Sequence, residues 1–229
     1  MIKVISLGGS IVAPDQVDVS FLKDFYSLVK NYLESDKKRK LIFVTGGGAP
    51  ARAYQKSYRE ITETPDSESQ DWIGIAATRL NGELLKAVFS DYCREKVVTD
   101  PTAVESFEGQ VLVAAGWKPG FSTDFDAVVL AEKFEAQTII NLSNITKVYS
   151  DDPRTNPAAV PLDKISWADF IKIVGTEWVP GKNAPFDPVA TARASALGMQ
   201  VIVAGGRDIK NLKLILENRL DIFNGTIIG

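Results

Sequence analysis

Histidine is missing from all 229 residues, which excludes imidazole acid–base catalysis and the commonest side-chain ligand of transition metals in one step. Cysteine is almost missing. Cys93 is the sole one, so no internal disulfide can form, the chain suits a reducing compartment, and Cys93 is expected to pack within a helix rather than react. A surplus of one charge is lacking too: 26 Lys and Arg stand against 29 Asp and Glu, a net charge of −3. The two signs are interspersed, which argues against nucleic acid as a partner, and an anionic ligand would have to be held by local donors. The basic run Lys37-Lys38-Arg39-Lys40 contains no aromatic residue and reads as a solvated link. No apolar run is long enough for a membrane span, and the N-terminal one is broken by Gly8 and Gly9. Neither a leader nor a membrane partner is expected, and the expected location is cytoplasmic. Internal repeats and low-complexity tracts are absent as well.

The length allows one full α/β core and not two independent ones, so residues 1–229 are expected to form a single domain. Two stretches organise it. Leu41-Ile42-Phe43-Val44-Thr45 runs into Gly46-Gly47-Gly48 and then into a helix-like segment carrying Arg52, and Ile2-Lys3-Val4-Ile5-Ser6-Leu7 runs likewise into Gly8-Gly9-Ser10. A buried strand that ends in residues without side chains leaves bare N–H groups for a ligand, and the next helix adds the positive end of its dipole. Those are the parts of a phosphate cradle. One such turn alone is often no more than a tight strand-to-helix connection; two, separated by one helix, point to two phosphorylated ligands.

A helix follows the first turn, with Leu22, Phe25, Val29, Tyr32 and Leu33 on one face and Asp18 or Ser20 as its cap. The polar residues 62–69 read as an exposed, mobile loop, residues 72–92 as a helix and residues 111–114 as a buried strand. That strand ends in Gly116-Trp117-Lys118-Pro119-Gly120-Phe121-Ser122-Thr123-Asp124, with Thr123 or Asp124 placed to cap the next helix. Residues 138–142 form a further strand, a hairpin is expected around Lys147-Val148-Tyr149, and residues 151–157 form a loop. Asp187-Pro188 opens a helix that Gly198 closes, before a strand at 200–204. Alternation of this kind requires crossover connections, and so an α/β fold with a mainly parallel sheet covered on both faces. Ligands in such sheets lie beyond the carboxyl ends of the strands, where all of these glycine turns fall. The turns are expected to share one crevice.

The ordered set Gly8-Gly9-Ser10, Gly46-Gly47-Gly48, Asp71-Trp72-Ile73-Gly74, Gly120-Phe121-Ser122-Thr123-Asp124 and Asn144-Ile145-Thr146-Lys147-Val148-Tyr149-Ser150-Asp151-Asp152-Pro153 resembles the amino-acid kinase family. Within that family the likeness is to the archaeal-type uridylate kinases, and it runs as far as Asn224-Gly225-Thr226. The resemblance implies a three-layer α/β/α sandwich in which the N-terminal part binds the acceptor, UMP, and the C-terminal part binds ATP. It implies transfer of the γ-phosphoryl group to give UDP, Mg²⁺ carried with ATP, and a homo-oligomer, a hexamer. By resemblance, Gly9, Ser10, Gly48 and Arg52 surround the ATP phosphates, and Ser143, Tyr149 and Asp152 surround the adenosine. Gly47 meets the UMP phosphate and Asp71 the ribose, while Trp117, Lys118, Pro119, Gly120, Phe121, Ser122 and Thr123 close over the uracil. Arg52, Asp124 and Lys182 are expected to carry catalysis.

Phosphoryl transfer asks a protein mainly to align donor and acceptor and to offset negative charge, which fixed amides and cations do without reorganising. A phosphate acceptor needs no general base, consistent with the missing histidine. Mg²⁺ keeps several waters and rides on phosphates, so no dedicated protein metal site is expected. Two departures stand out. Family members often have a lysine where this chain has Ser6, and another where it has Ala49; Lys182, Lys147 or Lys118, with Arg52, are the candidates to restore that charge. Plainer roles compete for several of these residues: Asp71 as a helix cap, Asp124 as a cap that also orients a lysine, and Lys147 and Lys182 as ordinary surface lysines. Rival functions are a kinase with another small acceptor, or a non-catalytic relative that binds nucleotide or oxyanion.

Overall fold

The computed structural model describes residues 2–175, 177 and 184–229. In chain order the elements are β1 (Ile2–Leu7), α1 (Gly9–Val12), α2 (Val19–Glu34), β2 (Lys40–Thr45), α3 (Gly48–Ile61), α4 (Ser67–Val88), β3 (Val111–Ala114) and α5 (Thr123–Lys133). They continue with β4 (Thr138–Ser143), β5 (Val148–Tyr149), β6 (Pro161–Leu162), β7 (Lys164–Ile165), α6 (Trp167–Val174), α7 (Pro188–Ala196), β8 (Gln200–Gly205), α8 (Ile209–Leu216) and β9 (Thr226–Ile228). No helix of the described residues is long and apolar enough to cross a membrane.

The main sheet has the order β3-β2-β1-β4-β8-β9-β7. The pairs from β3 through β8 are parallel, β9 runs antiparallel to β8, and β7 runs parallel to β9. Strands buried on both sides show no polar alternation, yet successive residues still point to opposite faces. Ile5, Leu7, Leu41, Phe43, Val111, Val113, Ile140 and Ile202 pack beneath α2, α4 and α8. Val4, Ile42, Val44, Leu112, Ile139, Val201 and Val203 pack beneath α5, α6 and α7. The result is the expected helix–sheet–helix sandwich. Its first layer is centred on Phe25, Phe43 and Phe89, with ring centroids 5.1 to 5.8 Å apart, and each fully buried ring contributes about 1.5–3 kcal/mol of burial free energy.

Several local expectations shift. The helix expected at residues 72–92 spans Ser67–Val88, because Asp66 caps it by accepting from Ser69 N–H and also takes the Tyr58 hydroxyl. Part of the expected loop at 62–69 is therefore helical, and Asp71, lying inside α4, is not a cap. Ser122, rather than Thr123 or Asp124, caps α5, and Asp18 caps α2. Cys93 is buried, though in the turn after α4 instead of within a helix. Val148 and Tyr149 do pair antiparallel, but with β6, across the loop at 150–160. The Asp187 cap and the Pro188 start of α7 are as expected.

Candidate functional site

Chain order and sheet order part company at β1. The chain steps outward from β1 to β2 and β3, then returns to place β4 on the other side of β1. A crevice opens beyond the carboxyl ends of strands at such a reversal. Both glycine turns lie there, and they touch. Gly8 N–H donates to Leu142 O at 2.8 Å and Gly46 N–H donates to Leu7 O at 3.0 Å, so each turn is sewn to the end of a neighbouring strand. A Cβ on Gly9 would lie 2.0 Å from Gly48 N and 2.6 Å from Gly46 C, which leaves room for hydrogen only. Gly48 adopts φ +66°, and a Cβ there would press on the carbonyl oxygens of Gly9 and Ala13.

Arg52, one turn into α3, spans the pair. Its guanidinium donates to Ser10 Oγ at 3.2 Å and to Pro14 O at 3.1 Å, fastening the second glycine turn's helix to the loop after the first. Gly9, Ser10, Gly47, Gly48 and Arg52 thus form one constellation. Behind it, Asp124 accepts from Ser6 Oγ at 2.8 Å and from Asp187 N–H at 3.2 Å. Burial pushes its carboxyl up to about 6 against the pull of those two bonds. Ser6, where the resemblance implies a lysine, gives the carboxylate a hydrogen bond and no positive charge.

The loop after β3 forms a second wall. Asp71 accepts from Gly120 N–H at 2.9 Å, and Arg79 donates to Trp117 O at 3.0 Å. Thr78 Oγ accepts from Gly116 N–H at 2.8 Å. The rings of Trp117, Phe121 and Phe125 follow one another at 5.0 and 4.8 Å, and the Lys118 ammonium sits 3.9 Å from the Trp117 ring centre, so this lysine is occupied by aromatic faces. A cavity of about 220 Å³ lies between this loop and the start of α7, lined by Asp71, Gly120, Phe121, Ser122, Phe125 and Asp187. Pro119 is half-buried in the loop, and Ser122 and Thr123 start α5. Beneath it, fully buried Asp126 accepts from Trp117 N–H at 3.2 Å, while its Oδ1 has no hydrogen-bond partner among the described residues; desolvation raises this carboxyl to about 7.

Of the remaining expected residues, Ser143 adjoins the first glycine turn and the other described ones sit apart. Ser143 ends β4 beside the first glycine turn's anchor, and its carbonyl accepts from Gly206 N–H. Tyr149 lies in the β5–β6 ribbon, and Asp152 is gripped at both oxygens by Arg154, at 3.0 and 2.7 Å. Among the described residues no hydrogen bond joins Tyr149 or Asp152 to the glycine turns. Lys147 is paired with Asp163. Lys182 lies outside the described residues. Sequence reasoning passed over Thr78 and Asn81 as site residues and gave Arg79 no role. The available signal was two polar residues three apart, within the stripe Ile75, Thr78, Asn81, Leu85 that α4 buries.

Known proteins resemble the chain over most or all of its length. The model of the amino acid kinase family matches residues 1–205. A uridylate kinase of Methanospirillum hungatei is 36% identical over 230 residues, covering 98% of this chain and 93% of the relative. One of Methanosarcina barkeri is 38% identical, covering 95% and 92%. The crystal structure of uridylate kinase from Archaeoglobus fulgidus superposes with a TM-score of 0.82 at 30% identity, with both chains fully covered. The UMP kinase of Bacillus anthracis, at 18% identity and a TM-score of 0.75, shares the fold. With its sheet order, its paired glycine turns and full-length likeness to these proteins, the chain belongs to the amino-acid kinase family.

Proposed function

We propose that the chain transfers the γ-phosphoryl group of ATP to UMP, giving UDP, in the cytoplasm. The observation that supports this reading is the contact between the two glycine turns at the β1 reversal, which brings side-chain-free backbone from the ends of β1 and β2 together at the carboxyl edge of the sheet, where amides can meet phosphates. The names of the full-length relatives supply the acceptor. In this reading residues 1–229 act as one unit. Gly47 and Asp71, with Trp117, Lys118, Pro119, Gly120, Phe121, Ser122 and Thr123 over the base, hold UMP. Gly9, Ser10, Gly48, Arg52, Ser143, Tyr149 and Asp152 hold ATP. Arg52 and Lys182 supply positive charge for the group in transit, and Asp124 orients the β1 end through Ser6.

The divalent ion that accompanies ATP is, in this proposal, Mg²⁺. Mg²⁺ keeps several waters and rides on the phosphates, so the protein needs to offer it little beyond a nearby oxygen such as the Ser10 hydroxyl, and no imidazole competes for the ion. When bound, it neutralises phosphate charge. The oligomer implied by resemblance, a hexamer, belongs to the same proposal.

The test is release of ADP from ATP in the presence of Mg²⁺, with UMP, CMP, acetylglutamate and isopentenyl phosphate offered separately. UMP is expected to give the highest kcat/KM. Turnover on another acceptor but not on UMP, or tight ATP binding with no turnover on any, would overturn the reading. Arg52→Ala and Lys182→Ala are each expected to lower kcat roughly 100-fold, and unchanged turnover in both would remove these cations from the mechanism.

A further inference from the structure

Asn81 is a buried amide on α4 that the reaction as outlined does not use. Its Nδ2 donates to Gly46 O at 2.8 Å and to Gly47 O at 3.3 Å. Both acceptors are carbonyls, so the amide nitrogen and not the oxygen must face them. The consequence follows from the peptide plane. In a trans peptide the C=O and the following N–H point in opposite directions. Gly46 O shares its plane with Gly47 N–H, and Gly47 O shares its plane with Gly48 N–H. Holding both carbonyls toward α4 therefore turns both N–H groups away from it, toward Gly9, where Gly47 N and Gly48 N crowd the space a Gly9 side chain would take. Neither N–H has a hydrogen-bond partner among the described residues. Glycine carries no torsional preference that would set this polarity unaided, and a free triple-glycine turn can present its carbonyls to the crevice as readily as its amides.

We propose that Asn81 is a positioning residue for phosphoryl transfer: by fixing two carbonyls of the triple-glycine turn, it aims the Gly47 and Gly48 amides at the phosphates. Asn81 itself touches neither nucleotide. The inference rests on the UMP-kinase reading, and one assay separates the two, because the wild-type rate on UMP tests the reading while the ratio of variant to wild type tests Asn81.

Asn81→Asp keeps the shape but sets an acceptor against two acceptors, and Asn81→Ala removes the donor. In folded protein with a wild-type circular dichroism spectrum, both variants are expected to lower kcat roughly 10- to 100-fold while the KM values for UMP and ATP stay within about threefold, because oriented amides count most when charge moves. A residue that only supports the helix would lower Tm and the folded fraction, with kcat per folded molecule unchanged. That outcome, or kcat within about threefold of wild type in both variants, overturns the proposal. If neither variant folds, hydrogen–deuterium exchange of the wild-type protein decides. Within the peptide spanning residues 45–49, whose Gly46 and Ala49 amides are already bonded, the Gly47 and Gly48 amides should exchange fast alone and become protected on adding UMP or a non-hydrolysable ATP analogue, and no added protection with either would overturn the proposal.

Discussion

The two sides of the crevice are held in different ways. On the β2–β3 side, one helix does the fastening: Asp71, Thr78, Arg79 and Asn81 of α4 each bond to main-chain atoms of the loops after β2 or β3. On the β4–β8 side, the loop at 150–160 closes on itself through Asp151, Asp152 and Asn156, with Arg154 as an exposed clamp. Long-range bonds, buried at Thr78, part-buried at Arg79 and Asn81 and exposed at Asp71, tie the first wall together before any ligand arrives. The loop at 150–160 has only local, exposed bonds, although the ribbon beneath it is tied to β9, where Thr226 Oγ1 accepts from Val148 N–H and donates to Leu162 O. The difference teaches that preorganisation is concentrated where the acceptor is proposed to sit.

The sharpest way to break the comparison is at the seam. Gly9→Ala drives a methyl group into the backbone of the second glycine turn, and kcat/KM is expected to fall by roughly 100-fold or more; a variant within tenfold of wild type would show that the turns separate easily. Next comes the rigid wall alone. Asp71→Ala releases Gly120 N–H and should raise the KM for UMP roughly tenfold without moving that for ATP, as initial-rate kinetics with each substrate varied would show.

The third test uses pH. Asp124 and Asp126 have folded-state values of about 6 and about 7, above the ordinary 3.8. The native state therefore binds more protons than the unfolded one between about pH 4 and 7, and stability falls as pH rises through that window. Asp66 and Asp152, held down at about 2 by their hydrogen bonds, act only below about pH 4, and no histidine confuses the range. Tm is expected to be a few degrees lower at pH 8 than at pH 5, and Asp126→Asn should flatten that slope. The smallest effect belongs to the ribbon: Arg154→Ala removes an exposed clamp and should change the KM for ATP by roughly twofold at most, with Tm unmoved.

Features set by neighbours in sequence were legible without coordinates. Strands buried on both faces announce themselves as apolar runs, and the glycine turns that end them carry their own conformational signature. The Asp187-Pro188 start of α7 is equally local. What escaped depends on partners far along the chain. The early start of α4 hangs on Asp66, which draws a hydroxyl from α3. Strands β7 and β9 are only two and three residues long; β9 exists by pairing with distant β8, and β7 by pairing with β9. The occupation of Lys147 by Asp163 and of Lys118 by aromatic rings is equally non-local. Asn81 reads in sequence as one polar residue on a helix, and its meaning depends on the two carbonyls 34 and 35 positions earlier.

The buried thiol has a practical consequence. Cys93 lies under the turn between α4 and β3, with Sγ 3.6 Å from Glu95 O and its ionisation suppressed by burial. A reagent that modifies only thiolates must wait for that turn to lift from the core, the same core that anchors the helix fastening both loops. Because the chain has one sulfur of this kind, its rate of labelling is a clock for the opening of the rigid wall, readable by mass without any engineered probe.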